Sequence, residues 1–203
     1  MKSCKGRGIR MILAAAVGAG VCSMASAQNV VWDEAVDGDL SDDWLNPTQL
    51  PTLIPGLNTV TFSVVNSDDE VNGDRDYFTI TIPNGYQMST LDLLALSADG
   101  PDDIAFLAIQ VGNQVTVDPN FPNPQPLLGW MLTQQLNVGN DILEIMIGQD
   151  NIPLGPGQYS FWAQQTGQDL TTMTLGFNIE LIPSPGTLGL AGLAMLGAMR
   201  RRR

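Results

Sequence analysis

Short runs of alternating apolar and polar side chains constrain the fold of this 203-residue chain more than any other feature. A period of two turns one set of side chains inward and the other toward water, which is the pattern of a half-buried β-strand. The clearest runs are 59–64, 77–82 and 172–181, and the runs 104–111 and 159–164 also indicate strands. The alternation therefore predicts a chain that is largely β.

Turn sequences separate these runs at short intervals. Pro83-Asn84-Gly85 follows one run, and Gly155-Pro156-Gly157 leads into another. Glycine and proline at such places favour tight reversals. Strands this short favour an all-β fold, an antiparallel β-sandwich of jelly-roll-like type, over a parallel α/β sheet. The more continuously apolar runs 91–96 and 142–147 fit either buried strands or short helices.

The first 27 residues have the order of an export signal. A basic start is followed by an apolar core at 11–22 and by Ala25-Ser26-Ala27, whose small residues suit a signal peptidase. We therefore predict a signal helix at 1–27 that is cleaved between Ala27 and Gln28. The basic residues of the start are Lys2, Lys5, Arg7 and Arg10.

The last 21 residues have a complementary order. Pro183-Ser184-Pro185 precedes 14 mostly apolar residues, 186–199, and the chain ends in four arginines. An apolar segment followed by positive charge stops in a membrane with the charge on the cytoplasmic side. We therefore expect an exported protein that a C-terminal helix holds transiently in the inner membrane. The four arginines are Arg200, Arg201, Arg202 and Arg203.

The sequence between these ends divides into two parts. Residues 28–57 are rich in acid and proline, and we expect them to form an extended lead-in that packs Trp32 and Trp44 on the body. A flexible acidic linker is the alternative. Residues 58–182 form the expected β-sandwich domain, and 183–203 form the sorting and anchor segment.

Charge and cysteine content limit the partners of the exported part. Residues 28–182 hold all 21 acidic residues and one basic residue, Arg75, so their formal net charge is −20. Such a surface repels nucleic acid and attracts cations. Solubility, or adaptation to a salty medium, explains the same charge. Both cysteines, Cys4 and Cys22, lie in the signal segment, so no disulfide is expected in this part.

The residue types present leave little chemistry for catalysis. Residues 28–182 contain no His, Cys or Lys. Their absence excludes Ser-His and Cys-His nucleophiles, His-ligated zinc and Schiff-base chemistry. A carboxylate pair of the kind that hydrolyses glycosides remains possible. We therefore expect a protein without catalytic residues, with a carboxylate glycosidase as one alternative.

Carboxylates are densest in the loop between the runs 59–64 and 77–82. Asp68, Asp69, Asp74 and Asp76 are the candidate metal ligands there. Hard oxygen ligands from one loop suit calcium, although the spacing is not that of an EF-hand. A second acidic segment, 37–42, imitates the start of an EF-hand loop but lacks its later Gly and Glu. A solvated acidic turn is the alternative at both places.

Aromatic side chains are candidates for stacking on sugar rings. Core or edge packing is the interpretation that we favour for each of them. Phe161 and Trp162 point to opposite faces of one run, so one of the two is expected outside the core. The candidates are Tyr77, Tyr86, Trp130, Tyr159 and Trp162.

The C-terminal order resembles the PEP-CTERM sorting signal of exported bacterial proteins, with Pro183-Ser184-Pro185 in place of a Pro-Glu-Pro motif. The resemblance implies a transpeptidase-like exosortase that cuts near the motif in a bacterium that also exports polysaccharide. It also implies delivery to the cell surface or the extracellular matrix.

The body resembles the bacterial pre-peptidase C-terminal domain, a small β-sandwich appended to many secreted enzymes. The matching segments are 60–64, 74–78, 83–85, 102–106 and 157–162. No peptidase domain precedes them, so the chain resembles a stand-alone version of that module.

Together these observations predict a non-catalytic surface or matrix protein whose partners are extracellular polysaccharide and calcium. A calcium-dependent carbohydrate-binding module is the second alternative.

Overall fold

A computed structural model describes residues 28–66, 73–120 and 123–183 of the chain. The expected signal and anchor helices lie outside these residues, and so do Ala27, Ser184, Pro185 and the four terminal arginines. Asp68 and Asp69 lie outside them as well. Within the described ranges, no helix combines the length and the apolar character that crossing a membrane requires.

The described residues are mostly β-strand, which confirms the prediction of an all-β fold. The helices are short, and two further 3-10 turns cover Gln135–Asn137 and Gln149–Asn151. In chain order the elements are β1 Asn29–Asp33, α1 Glu34–Asp37, β2 Thr48–Gln49, β3 Gly56–Val64, β4 Arg75–Ile82, β5 Tyr86–Ala98, β6 Ala105–Val111, β7 Gly129–Thr133, α2 Leu143–Ile147, β8 Gly157–Gln165 and β9 Thr171–Leu181.

The strands form two sheets. One sheet has the order β1-β3-β9-β5, and the other has the order β2-β4-β8-β6-β7. All pairings among β3 to β9 are antiparallel. The short strands β1 and β2 instead pair in parallel with β3 and β4, respectively. The segment from 28 to 57 thus adds one strand to each sheet.

The two sheets bury one continuous apolar core between them. Phe62 on β3 contacts Phe78 on β4, with ring centroids 5.6 Å apart. Phe161 on β8 meets Phe177 on β9 edge to face, also at 5.6 Å. These ring pairs join the sheets, and the inward half of each alternating run supplies the rest of the core.

A second, smaller cluster lies on the outer face of the five-stranded sheet. Tyr77 stacks on Trp162 there at 5.9 Å, and Val115 and Val117 pack over them. Phe161 and Trp162 therefore do point to opposite faces of β8, as the alternation predicted. Trp162 lies outside the main core but is buried by this cover.

The two ambiguous apolar runs differ in structure. Residues 91–96 lie within β5, whereas 142–147 contribute the helix α2. The side chain of Asp141 accepts hydrogen bonds from the N–H groups of Leu143 and Leu91, at 2.9 and 3.1 Å. The first bond spans the N-cap residue Ile142 at the start of α2, and the second ties that start to the edge strand β5. Gly148, with φ +80°, ends the helix.

The tryptophans of the N-terminal segment pack on the body, as predicted. Trp32 lies against the main core and Trp44 against the outer cluster. Asp33 caps the single turn of α1, and the indole N–H of Trp32 donates to the carbonyl of Gly38 at 3.1 Å. These contacts fix the acidic turn that follows β1 in one position.

Candidate metal centre

Two acidic segments that are distant in sequence meet at the start of β4. Two sets of three carboxylates form there: Glu34, Asp39 and Asp76 make the first, and Asp39, Asp42 and Asp74 make the second. In each set, one oxygen from every residue lies within 4.8 Å of the others. We call these five residues the acidic cluster.

Asp76 is the most unusual member of the acidic cluster. The alternation of β4 places it on the same inward face as Phe78 and Ile80. Its side chain is 0 % exposed, and neither carboxylate oxygen has a hydrogen-bond partner. Burying a charged carboxylate without a partner costs several kcal/mol.

Backbone hydrogen bonds hold two of the other carboxylates, Glu34 and Asp42, in place. Glu34 accepts from the N–H groups of Leu40 and Ser63 through its two oxygens, at 3.2 and 2.7 Å. Asp42 Oδ1 accepts from the backbone N–H of Arg75 at 3.1 Å. Because these donors belong to β3, β4 and the acidic turn, the carboxylates are oriented by the fold itself.

The segment around Ser41 is tied to β4 by its backbone. The N–H of Tyr77 donates to the carbonyl of Ser41 at 2.9 Å. On the other side, the N–H of Asp74 donates to the carbonyl of Val65 at 2.7 Å. Backbone hydrogen bonds therefore hold both acidic segments beside the cluster.

The pKa values of the cluster reflect how unfavourable bare negative charge is there. Burial raises the pKa of Asp76 to about 10, and repulsion from Glu34 and Asp74 adds to the shift. Burial also raises the pKa of Asp74 to about 7, with repulsion from Asp39 and Asp42. The pKa of Glu34 is raised by burial, against the effect of its backbone hydrogen bonds. A divalent cation would favour the ionised forms instead.

The residues fit a hard cation such as calcium. Calcium takes six to eight oxygen ligands at about 2.3–2.6 Å, so two ligands of one ion lie at most about 5 Å apart. The 4.8 Å limit within each set satisfies this condition. Every side-chain ligand is a carboxylate, and residues 28–182 have no His or Cys that would favour a softer metal.

The sequence identified only part of this arrangement. Of its four candidate ligands, Asp74 and Asp76 lie in the acidic cluster, and Asp68 and Asp69 lie outside the described residues. The segment containing Asp39 and Asp42 was a separate, weaker candidate in the sequence. The structure brings both segments together and adds Glu34, which sequence spacing alone did not single out.

Most aromatic candidates pack rather than face solvent. Tyr77, Tyr159 and Trp162 are buried, and Tyr86 packs against the main core. Trp130 on the edge strand β7 differs, since it is 50 % exposed.

Trp130 stands beside a cavity of about 380 Å³ on the outer face of the five-stranded sheet. It stacks on Phe106 with centroids 5.9 Å apart. Gln164 and Thr166 supply polar groups to a lining that is otherwise apolar. The size and the lining lie within the range of small-molecule pockets.

The fold and the acidic cluster define the class of this protein as an all-β protein of two packed sheets with a carboxylate-rich candidate metal centre. No protein-family model matches the chain, and neither a curated protein nor a solved structure matches it. The two resemblances described above stay predictions from the sequence.

Proposed function

We propose that this chain is an exported, non-catalytic β-sandwich protein, jelly-roll-like in type, that binds calcium and acts at the cell surface or in the extracellular matrix. The observation that carries the calcium part is Asp76, a fully buried carboxylate without a hydrogen-bond partner that faces Glu34 and Asp39. Calcium would replace the proton of this carboxyl and join the acidic turn to β4. The ion would thus do the structural work that a disulfide does in other exported proteins.

The sorting part of the proposal is supported by the sequence of the two ends. Residues 1–27 form the export signal and its helix, and 183–203 form the sorting and anchor segment, with its apolar helix and its arginines. An exosortase-like enzyme acts near Pro183-Ser184-Pro185. Extracellular polysaccharide is then the surrounding material and the expected partner.

Deleting residues 186–203 is expected to release the protein into the medium or the periplasm. A spanning helix needs about 20 residues, and the apolar run has 14, so the tail anchors weakly and its arginines add to the anchoring. Cell fractionation of the truncated and the intact chain measures the effect. A variant with the four arginines changed to Gln tests the charge separately, and it should lose surface attachment in part. Surface retention that is unchanged by the deletion would refute the sorting proposal.

A calcium-dependent carbohydrate-binding module is the second candidate function, and the cavity beside Trp130 favours it. Flat, half-exposed aromatic rings stack on the apolar faces of sugars, and a few polar groups then fix the hydroxyls. Arg75 is the single basic side chain of residues 28–182, and it does not line the cavity, so a neutral sugar fits better than an anion.

Trp130→Ala is expected to reduce glycan binding at least tenfold if the module binds sugar, because the stacking surface is removed. A glycan array with and without calcium identifies the ligand, and calorimetry on that glycan measures the change.

Leu132→Ala is the matched control, since Leu132 is 48 % exposed on the same strand but does not line the cavity. Equal binding by wild type and both variants would exclude this cavity as the sugar site. Release of reducing ends in the same samples would instead support the glycosidase alternative.

A further inference from the structure

The two packed sheets have two opposite ends. At one end the chain passes from β3 to β4, from β5 to β6 and from β8 to β9, and a bridge between Val65 and Asp74 joins the sheets there. At the other end it turns from β4 into β5 at 83–85, and the N–H of Ile182 donates to the carbonyl of Gly85 at 2.9 Å as the chain leaves β9. We call these the acidic end and the tail end.

The acidic end holds most of the acidic residues that the structure describes. These are Glu34, Asp37, Asp39, Asp42, Asp43, Asp74, Asp76, Asp99, Asp102, Asp103 and Asp169. The described segments that form the tail end contain one acid, Asp150, and Glu180 lies near the end of β9. Those segments are 51–55, 83–85, 112–115 and 148–156. The charge of the body is therefore strongly polarised along the strands.

The strands β6 and β9 bring apolar side chains to the tail end. Val111 and Leu181 continue the core-facing alternation of Ile109 and Ile179 by one step. They lie beyond the end of the core, where they are 62 % and 64 % exposed. At the acidic end, the corresponding step along β4 reaches the carboxylate of Asp76. The tail end therefore presents apolar side chains with few charges around them.

The tail end is also the part of the body nearest to the apolar run 186–199. From Ile182 to Gly186 the chain extends over at most about 14 Å. With the run in the bilayer, the tail end must stay within about this distance of lipid. The acidic end lies about 25 Å further away, because β4 spans eight residues at about 3.3 Å each. That separation is several times the Debye length of about 8 Å at physiological salt, so repulsion from anionic lipid is largely screened.

We propose that the tail end of the body lies on the surface of the phospholipid bilayer, with Val111 and Leu181 in contact with lipid. The acidic end, with the candidate calcium site, then points away from the membrane. This inference rests on the proposed membrane anchor and names the surface that accompanies it. A short tether gives an effective concentration of about millimolar, so a small apolar surface is sufficient. Its contact with lipid adds to the weak anchoring of a 14-residue run.

A fluorescent label at each end tests the orientation. The exported form, 28–203, contains no cysteine, so Val111→Cys or Leu170→Cys carries a single label. Leu170, an exposed apolar residue at the acidic end, is the matched position. Each labelled chain is expressed with its signal, checked by mass for cleavage after Ala27, and reconstituted with vesicles of phosphatidylcholine and phosphatidylglycerol. When the lipids carry a nitroxide quencher, the label at 111 should lose more than half of its fluorescence. The label at 170 should keep its fluorescence.

Paired substitutions test the contribution of the surface to binding. Val111→Ser with Leu181→Ser should weaken the partition of the exported form into vesicles about fivefold, because apolar side chains no longer leave water. Ile104→Ser with Leu170→Ser changes two exposed apolar residues at the acidic end and should leave the partition unchanged. Vesicle flotation measures both. Circular dichroism spectra identical to wild type establish that each variant is folded.

The outcomes separate the docking surface from the anchor. If the chain floats with vesicles but the label at 111 keeps its fluorescence, the docking surface is wrong and the anchor stands. If the intact chain floats no better than a chain without 186–203, the proposed anchor fails and the docking surface with it. Equal losses of partition in the two paired variants would overturn the tail end as the surface that faces lipid.

Discussion

Millimolar calcium is expected to raise the melting temperature of this protein by roughly 5–10 °C beyond sodium at equal ionic strength. A ligand that binds only the folded state adds about 2.7 kcal/mol to the free energy of unfolding at a concentration of 100 Kd. Sodium acts by screening alone, since the net charge of −20 on residues 28–182 repels itself at low salt. Differential scanning calorimetry of matched samples measures the difference.

Two double variants separate a specific site from general screening. Asp74→Asn with Asp76→Asn should abolish the excess effect of calcium and keep the sodium effect. Glu144→Gln with Asp150→Asn removes the same number of carboxyl groups from exposed positions outside the acidic cluster and should keep both effects. If calcium and matched sodium raise the melting temperature of the wild-type protein equally, the cluster is only a solvated acidic surface and the proposed calcium site is wrong.

Without calcium, the protein is expected to lose stability as the pH rises from about 5 to about 8. The pKa values of Asp74 and Asp76 are about 7 and about 10 in the folded protein, above the ordinary 3.8 of an unfolded Asp. Between the unfolded and folded values the native state binds more protons than the unfolded state. Stability from these groups is therefore complete below about pH 4 and decreases as the pH rises.

Saturating calcium should reverse this trend, because the bound form uses ionised carboxylates and competes with protons. The calcium-induced rise in melting temperature should therefore be larger at pH 8 than at pH 5. Asp74→Asn with Asp76→Asn should flatten the calcium-free dependence, since Asn does not titrate. A calcium-free melting temperature that increases over this range would contradict the raised pKa values and the buried charge they reflect.

The strands were predictable because they depend on local alternation. The runs 59–64, 77–82 and 172–181 all lie within strands of the structure. The edge strand Gly129–Thr133 was not predicted from the sequence, because four of its five residues are apolar or glycine and show no period of two. The parallel pairing of β1 with β3 was not predictable either, since it joins residues about 30 positions apart without a local signal.

The acidic cluster shows the same division between local and long-range information. Asp74 and Asp76 were predicted as ligands from local carboxylate density. Asp74 and Asp76 lie close to Glu34, Asp39 and Asp42 only because β1 and α1 pack beside β3. This is a tertiary contact, which local sequence does not predict.

The burial of Asp76 did have a local signal. Extending the inward alternation of Ile80 and Phe78 back by one step reaches Asp76. A carboxylate in phase with a core-facing run is evidence for a buried charge.

Crystallography with anomalous scattering tests the central claim most directly. Crystals grown with calcium, or soaked in a lanthanide that replaces it, should give an anomalous peak about 2.3–2.6 Å from a carboxylate oxygen of Asp76. The same peak should also lie within coordination distance of Glu34 and Asp39. A map without a peak at saturating calcium, with the Asp76 carboxyl hydrogen-bonded to protein instead, would contradict the account.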